Sequence, residues 1–206
     1  RTRIKEIVDM VLKASEADAT EVLVFAEDSQ LTRFANSSIH QNVAETDLHL
    51  RVRAIAGRRQ GVATTNNTQP DALRAVAEQA LQAARLQPER ETDILLAEPA
   101  HIEPVVAFSE QTAGCSPHRR AEAVKTVCRL SEEAGLLASG AFSTGVMSIA
   151  VGNSRGLFAF HSGTQSSFTT VVMGDDSSGY AENAHWDVDA LDTDALGREA
   201  IDTALR

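Results

Sequence analysis

The sequence predicts an α+β fold in which antiparallel sheets have helices packed on one face. Two observations lead to this prediction. Apolar helical stripes alternate with β-rich stretches in the order helix, meander, helix, and then helix, sheet, helix. Residues 47–56 also alternate between apolar and polar side chains, which is typical of a half-buried antiparallel strand rather than of a parallel one.

The composition excludes several classes of function. The chain has 206 residues, 43% of them hydrophobic, which is enough to bury a core. Nineteen basic against 29 acidic residues give a net charge of −10, which argues against direct binding of nucleic acid. No stretch approaches the roughly 18 apolar residues of a membrane span, so we expect no membrane contact. Two cysteines cannot form a disulfide framework, and we therefore expect a cytoplasmic protein.

The first 86 residues predict a helix, an antiparallel meander and a second helix. The first helix carries one apolar stripe, made of Ile4, Ile7, Val8, Val11 and Leu12. Strands are expected over residues 22–27, 31–36, 47–56 and 60–65, with a polar break between the first two. Pro70 begins the second helix, which ends before Pro88.

Residues 87–116 predict an irregular crossover, because three prolines interrupt them. Ser116 and Pro117 then form a strong helix start. The apolar stripe of this helix is expected at Ala121, Val124, Val127, Cys128 and Leu130. Further strands are expected over residues 143–151, 157–164, 165–173 and 180–186, before a last helix from Asp192 or Thr193.

We therefore expect a unit at residues 1–86, a crossover at 87–116 and a second unit at 117–206, which together form one continuous domain. The last helical pattern still runs at Arg206, and no initiator methionine is present. On these grounds we expect the chain to be a fragment of a longer protein.

No complete catalytic or metal-binding motif occurs. Zinc peptidases commonly place two histidines one helical turn apart with a glutamate beside the first, and none of the six histidines begins such a motif. Cys115, His118 and Cys128 match no common metal-site spacing. The acidic residues 187–194 do not follow the order of an EF-hand loop. We assign no catalytic residue and no metal ligand, and we expect no cofactor in this fragment.

The most unusual segment covers residues 33–42, where Arg33, Asn36, His40 and Gln41 are interleaved with apolar residues. A polar strand edge can bind an extended peptide by main-chain pairing, with side-chain amides fixing its register. This hypothesis makes those four residues peptide-binding residues. The simpler interpretation is a hairpin with a hydrated outer face, and both interpretations stay open.

Four stretches carry a resemblance that covers nearly the whole chain. Residues 33–41 read RFANSSIHQ, residues 50–63 read LRVRAIAGRRQGVA, residues 150–156 read AVGNSRG and residues 177–181 read SSGYA. Taken together and in this order, they resemble the N-terminal domain of the TldD/PmbA family, in which PmbA is also called TldE. The family is known as modulators of DNA gyrase and as predicted zinc metallopeptidases.

The resemblance implies an α+β N-terminal domain that is joined, in the parent protein, to a β-rich C-terminal domain. In TldD-type members an HExxxH helix beyond the segment present here binds zinc, whereas PmbA-type members lack it and pair with a TldD-type partner. A homo- or hetero-oligomer with a TldD/PmbA-type subunit and an extended peptide substrate are therefore implied. Zinc could belong to the full-length parent or to its partner.

Two functions follow from the resemblance. The first is a peptidase domain that helps to form the peptide-binding cleft and the oligomer interface without supplying metal ligands. The second is a non-catalytic scaffold or partner subunit of a peptidase complex. Whether the parent is itself an enzyme stays open, because no position of this chain corresponds to the family's zinc ligands.

Overall fold

The computed structural model describes all 206 residues and contains one six-stranded antiparallel sheet. The spatial order of the strands is β3-β2-β1-β4-β5-β6. The strands are β1 (Ala19–Ala35), β2 (Ser38–Ala56), β3 (Arg59–Thr65), β4 (Leu137–Asn153), β5 (Phe158–Met173) and β6 (Ser178–His185). The helices are α1 (Thr2–Ala14), α2 (Pro70–Arg85), α3 (Glu110–Ala113), α4 (Pro117–Glu133) and α5 (Thr193–Ala204), with a 3₁₀ turn at Val188–Ala190. The predicted antiparallel α+β class is confirmed.

The chain forms two compact units. Unit 1 consists of Arg1–Ala26, Asp47–Val105 and Ser148–His161, and unit 2 consists of Glu27–Thr46, Val106–Met147 and Ser162–Arg206. Along the chain, the order helix, three strands and closing helix occurs twice, as α1-β1-β2-β3-α2 and as α4-β4-β5-β6-α5. The tip of the β1–β2 hairpin belongs to unit 2, and the tip of the β4–β5 hairpin belongs to unit 1.

Unit 1 has an apolar core between its helices and its strands. The buried stripe of α1 runs through Ile4, Ile7, Val8 and Val11, as the sequence predicts. The stripe of α2 has the same i, i+3, i+4 spacing, so each helix buries one face. The strand side of this core is formed by Val22, Val24, Leu50, Val52, Ala54 and Ala150.

Unit 2 has a second core that contains most of its aromatic contacts. Phe34 and Phe168 stack with their ring centroids 6.1 Å apart, and Phe142 meets Phe168 edge-on at 5.5 Å. These are the separations that aromatic pairs prefer. Helices α4 and α5 close the core with residues that include Val124, Val127, Leu196, Ala200 and Ile201.

In each unit a glycine brings the outer strand against the closing helix. A Cβ on Gly61 would lie 2.1 Å from the backbone nitrogen of Ala84 in α2. A Cβ on Gly179 would lie 1.9 Å from the carbonyl oxygen of Ala200 in α5. Only glycine fits at this distance, and the equivalent placement reinforces the similarity of the two units.

Several elements differ from the sequence-based expectation. β1 continues through the polar residues 28–30, β2 begins at Ser38 rather than at residue 47, and β5 is continuous from Phe158 to Met173. Polar residues do not end these strands, because main-chain pairing continues and one side of each strand can stay hydrated. In α4 the buried face contains Arg120 and Ser131, whereas the sequence analysis assigned Ala121 and Leu130 to it.

Candidate functional site

The outer edge of β2 is open where the strand lies in unit 2. β3 has only seven residues, and it pairs with β2 from Leu50↔Thr65 to Ala56↔Arg59. β2 has 19 residues, so residues 38–46 extend beyond the reach of β3, its outer neighbour. We call residues 38–46 the edge segment. Its outer N–H and C=O groups are available to a further strand.

The edge segment is solvent-accessible along its whole length. Every side chain in it is exposed apart from Val43, which is half-buried. Natural sheets often protect such an edge with a proline, charged side chains or a covering element. The edge segment contains no proline and only one acidic residue, Glu45. It is therefore a suitable surface for strand addition.

The turn before the edge segment is held in one conformation. Asn36 and Ser37 have φ values of 50° and 55°, the left-handed values that a type I′ hairpin turn requires at both central positions. The N–H of Ser37 donates to the carbonyl of Ala138 at 2.8 Å, and Ser37 Oγ accepts from the N–H of Ala138 at 3.1 Å. The N–H of Asn36 donates to Ser139 Oγ at 3.3 Å. β4 thus fixes the start of the edge segment.

The structure brings two of the four predicted site residues together. Arg33 Nη1 donates to Gln41 Oε1 at 3.3 Å, and both side chains are exposed. His40 is exposed and directly precedes Gln41 in the edge segment. Asn36 occupies the turn, where its left-handed backbone accounts for the residue type. The assignment of these four residues to peptide binding stays a prediction.

A buried guanidinium that the sequence analysis missed lies behind the edge segment. Arg120 of α4 is 0% exposed and is the largest fully buried side chain. Its Nε donates to Thr32 Oγ1 at 3.1 Å, and its Nη2 donates to Asn42 Oδ1 at 3.3 Å. Its Nη1 donates to three oxygens, those of Gln30 Oε1 at 2.7 Å, the Cys115 carbonyl at 2.8 Å and Thr144 Oγ1 at 3.3 Å.

All of the acceptors of Arg120 are neutral. Burying a charge is unfavourable unless hydrogen bonds replace its hydration, and an arginine fork can use several acceptors at once. Here neutral side-chain and main-chain oxygens accept the hydrogen bonds of Arg120 in place of a carboxylate. The arrangement ties α4 to β1, β2 and β4, and it fixes the position of Asn42 in the edge segment.

Two cavities flank this part of unit 2. The larger, of about 660 Å³, lies between the hairpin turn and α4, where Ser38, Ile39, Lys125, Cys128 and Glu132 line it in part. The smaller, of about 310 Å³, is lined by Ser29, Leu31, Arg33, Gln41, Val43 and Glu45. The edge segment therefore has a recess at its turn and another on its Gln41 face.

The thiol in the larger cavity is not an activated nucleophile. Burial, and then the negative charge of Glu132, raise the pKa of Cys128 to about 11. A thiol must ionise to attack a substrate or to bind a metal, and reactive cysteines have pKa values below the ordinary range. Cys128 therefore stays protonated near neutral pH.

Ser109, His185 and Asp187 are the residue types of a hydrolytic triad, but they do not form one. Ser109 Oγ donates to Asp187 Oδ1 at 2.9 Å, and the Asp187 N–H donates to His185 Nδ1 at 2.9 Å. In a triad the imidazole contacts the serine and the carboxylate orients the imidazole. Here the serine contacts the carboxylate directly, so these bonds stabilise a turn.

The side chains of this chain do not fit a metal centre. No group of three or more His, Cys, Asp or Glu residues is arranged to hold a metal ion. A catalytic zinc needs three protein ligands of these types. None of the helices is both long enough and apolar enough to cross a membrane.

The fold is a two-unit antiparallel α+β domain in which residues 38–46 of β2 have no outer partner strand. Residues 20–84 match the family model described as PmbA/TldA metallopeptidase domain 1, and residues 116–206 match the one described as PmbA/TldA metallopeptidase central domain. The chain belongs to the PmbA/TldD family, which confirms the resemblance found in the sequence. No curated protein sequence matches the chain.

Three solved structures have the same fold. TldE from Thermococcus kodakarensis has a TM-score of 0.84 at 19% identity, with 98% of this chain and 47% of that chain covered. A protein described as a modulator of a DNA gyrase from Thermotoga maritima has a TM-score of 0.81 at 12% identity, with 98% and 48% covered. A similarly described protein from Bacteroides thetaiotaomicron has 0.80 at 16%, with 99% and 49% covered. The chain thus spans about half the length of these structures.

Replacement of Arg120 by methionine tests the buried network. Arg120→Met fills a similar volume but leaves buried oxygens of Thr32, Thr144 and Cys115 without their donor. We expect the free energy of unfolding to fall by about 3 kcal/mol or more. Urea denaturation measures this change.

Arg119→Met is the matched control for that measurement. Arg119 is the neighbouring residue, its side chain is 43% exposed, and it pairs with Asp189 at the surface. Exposed ion pairs contribute at most about 1 kcal/mol, so we expect a small change. Equal losses in the two variants would contradict a special role for the buried guanidinium.

The raised pKa of Cys128 predicts an alkaline loss of stability. The folded state holds the thiol proton more tightly than the unfolded chain, so this contribution is complete below pH 9.0 and declines as pH rises toward about 11. We expect the stability of Cys128→Ala to decline less steeply with pH over that range than the stability of the wild-type protein. Identical slopes in the two proteins, measured by denaturation at each pH, would contradict a raised pKa at Cys128.

Proposed function

We propose that this chain is the part of a PmbA/TldD-type metallopeptidase that binds an extended peptide along the edge segment and contributes to an oligomer interface. The zinc ligands come from elsewhere in the full-length protein or from its partner. The observation that carries the proposal is the open outer edge of residues 38–46, which β3 is too short to cover. Family membership supplies the peptidase context.

Strand addition suits a peptidase that acts on unfolded chains. Main-chain hydrogen bonds along an edge give affinity for any extended sequence, and pockets for alternate side chains add selectivity. The edge segment offers such bonds, and the cavity lined by Arg33 and Gln41 offers a pocket on one face. The fixed turn at Asn36 and Ser37 means that little ordering of the hairpin is needed on binding.

The four predicted residues take different roles in this proposal. Arg33 and Gln41 contact each other and line the pocket on one face, where they would bind a side chain or carbonyl of the peptide. His40 is the exposed neighbour of Gln41 in the same strand. Asn36 positions the turn and presents its amide at the end of the edge.

The oligomer proposal includes a TldD/PmbA-type subunit as partner, and we place the protein in the cytoplasm on the grounds of its cysteine usage. The second candidate function, a non-catalytic scaffold or partner subunit, draws on the likeness to TldE. Zinc content of the full-length protein, purified without chelator, separates the two. Roughly one zinc per chain favours the peptidase, and no zinc favours the scaffold.

Removal of two side chains at the edge tests peptide binding. The probe is an unstructured peptide of glycine and alanine, as long as the edge segment and with one central guest residue. We call it the host peptide, and here the guest residue is glutamate. We expect the double variant Arg33→Ala with Asn36→Gly to bind it about tenfold more weakly, because two hydrogen-bonding side chains are lost. Glycine keeps the left-handed backbone at position 36. Fluorescence anisotropy measures the Kd.

The matched control removes the same residue types from unit 1. Arg58→Ala with Asn66→Gly deletes an exposed arginine and an exposed asparagine away from the edge segment. This variant should keep the wild-type Kd. If the edge variant also binds normally while both proteins stay folded, these side chains do not belong to a peptide-binding surface.

A further inference from the structure

The orientation of the Asn42 side chain in the edge segment follows from its neighbours. Arginine has only N–H donors, so the Asn42 atom that lies 3.3 Å from Arg120 Nη2 must be the oxygen. The same oxygen accepts from Thr32 Oγ1 at 3.0 Å. With Oδ1 occupied twice from within the fold, Nδ2 is left on the solvent side of an exposed residue. No group of the chain accepts a hydrogen bond from it.

The architecture of the unit does not require an arginine at this place. In α4 the buried stripe runs through Arg120, Val124 and Val127, with spacing i, i+4 and i+7. In α1, the corresponding helix of unit 1, residues with the same spacing are Ile4, Val8 and Val11. In unit 1 the apolar side chain of Ile4 fills the position that Arg120 occupies in unit 2. Packing alone therefore does not explain the buried guanidinium.

The charge of Arg120 is not neutralised within its hydrogen-bonding network. Its five acceptors are amide, hydroxyl and main-chain oxygens. Val43 and Glu45 line the cavity on the Gln41 face, so strand alternation puts Asn42, Ala44 and Thr46 on the other face, and none of these three is acidic. The Asn42 amide therefore stands between a buried positive charge and solvent, which polarises its N–H groups as donors.

We propose that Asn42 is the specificity-determining residue of the edge segment and selects a peptide whose side chain opposite it accepts a hydrogen bond. Residues directly opposite each other on neighbouring strands have their Cβ atoms about 5 Å apart, so Nδ2 can reach a carboxylate or a carboxamide there. A carboxylate binds the Asn42 amide most tightly, because the positively charged guanidinium of Arg120 lies behind that amide. The inference rests on the proposed function and names the substrate class for the same edge.

Arg120 acts here as a positioning residue. Its Nη2 and the Thr32 hydroxyl hold the amide with its nitrogen outward, and an unconstrained asparagine would present its oxygen as readily. An acceptor facing outward would repel the carboxylate that a donor attracts.

The test compares host peptides whose central residue is glutamate, glutamine or leucine. We expect the wild-type chain to bind the glutamate and glutamine peptides roughly tenfold more tightly than the leucine peptide. Asn42→Asp keeps an oxygen for Arg120 and Thr32 but replaces the outward donor by an acceptor. In that variant the preference should vanish, and the glutamate peptide should lose the most affinity.

Asn66→Asp is the matched control, since it adds the same charge at an exposed position in unit 1. It should keep the wild-type preference. Thermal unfolding checks that Asn42→Asp stays folded, which is expected because its carboxylate faces the buried guanidinium.

The outcomes distinguish the two proposals. If the wild-type chain binds all three peptides equally, or if Asn42→Asp keeps the preference, the assignment of Asn42 is wrong while strand addition stands. If the wild-type chain binds none of them, strand addition at this edge fails, and the specificity assignment fails with it. A tenfold preference that Asn42→Asp abolishes and Asn66→Asp retains supports both.

Discussion

The burial of one guanidinium constrains much of unit 2. Arg120 has no access to water, so its hydrogen bonds must all be made by the fold. Satisfying them requires β1, β2, β4 and the loop before α4 to bring Gln30, Thr32, Asn42, Thr144 and the Cys115 carbonyl to one point. A network of this kind tolerates few alternative packings, and it therefore specifies the register of the hairpin that carries the edge segment.

The hairpin that Arg120 supports has an accessible edge because its strands are longer than the outer strand β3. β1 and β2 have 17 and 19 residues, whereas β3, the outer strand, has only seven. The hairpin tip therefore belongs to unit 2 without bringing an outer partner with it. The two units use similar elements, including a glycine that lets each outer strand meet a helix backbone, but only unit 2 has a charged residue in its first buried stripe. We link that difference to peptide binding.

Local patterns in the sequence predict the class of fold well. The stripes of α1 and α2, the proline starts of α2 and α4, and the alternation over residues 47–56 all report on single elements. The length of β1 and β2 is less predictable, because main-chain pairing carries the strands through polar residues. The burial of Arg120 is the feature of the fold that the sequence predicts least well. Arg120 occupies a stripe position four residues before Val124, but charge normally excludes a residue from the core, so Ala121 is the natural choice from sequence.

The candidate site, like the fold, is only partly predictable from the sequence. The unusual polarity of residues 33–42 is visible in the sequence, and the contact of Arg33 with Gln41 follows from a hairpin. The role of Asn42 depends on a residue 78 positions away in the chain, which no local pattern reveals. The only sequence signal that points to such a partner is Arg120 itself, because arginine is normally exposed and here occupies a position on an apolar stripe.

Backbone amide hydrogen exchange of the edge segment, measured with and without a saturating extended peptide, tests the central claim most directly. In the free chain, the outward N–H groups of residues 38–46 should exchange rapidly, since they have no partner strand. Added peptide should slow the exchange of alternate residues in this segment and leave β3 unchanged, because β3 is already paired with β2. Unchanged exchange over residues 38–46 with bound peptide, or protection confined to another strand, would contradict strand addition at this edge.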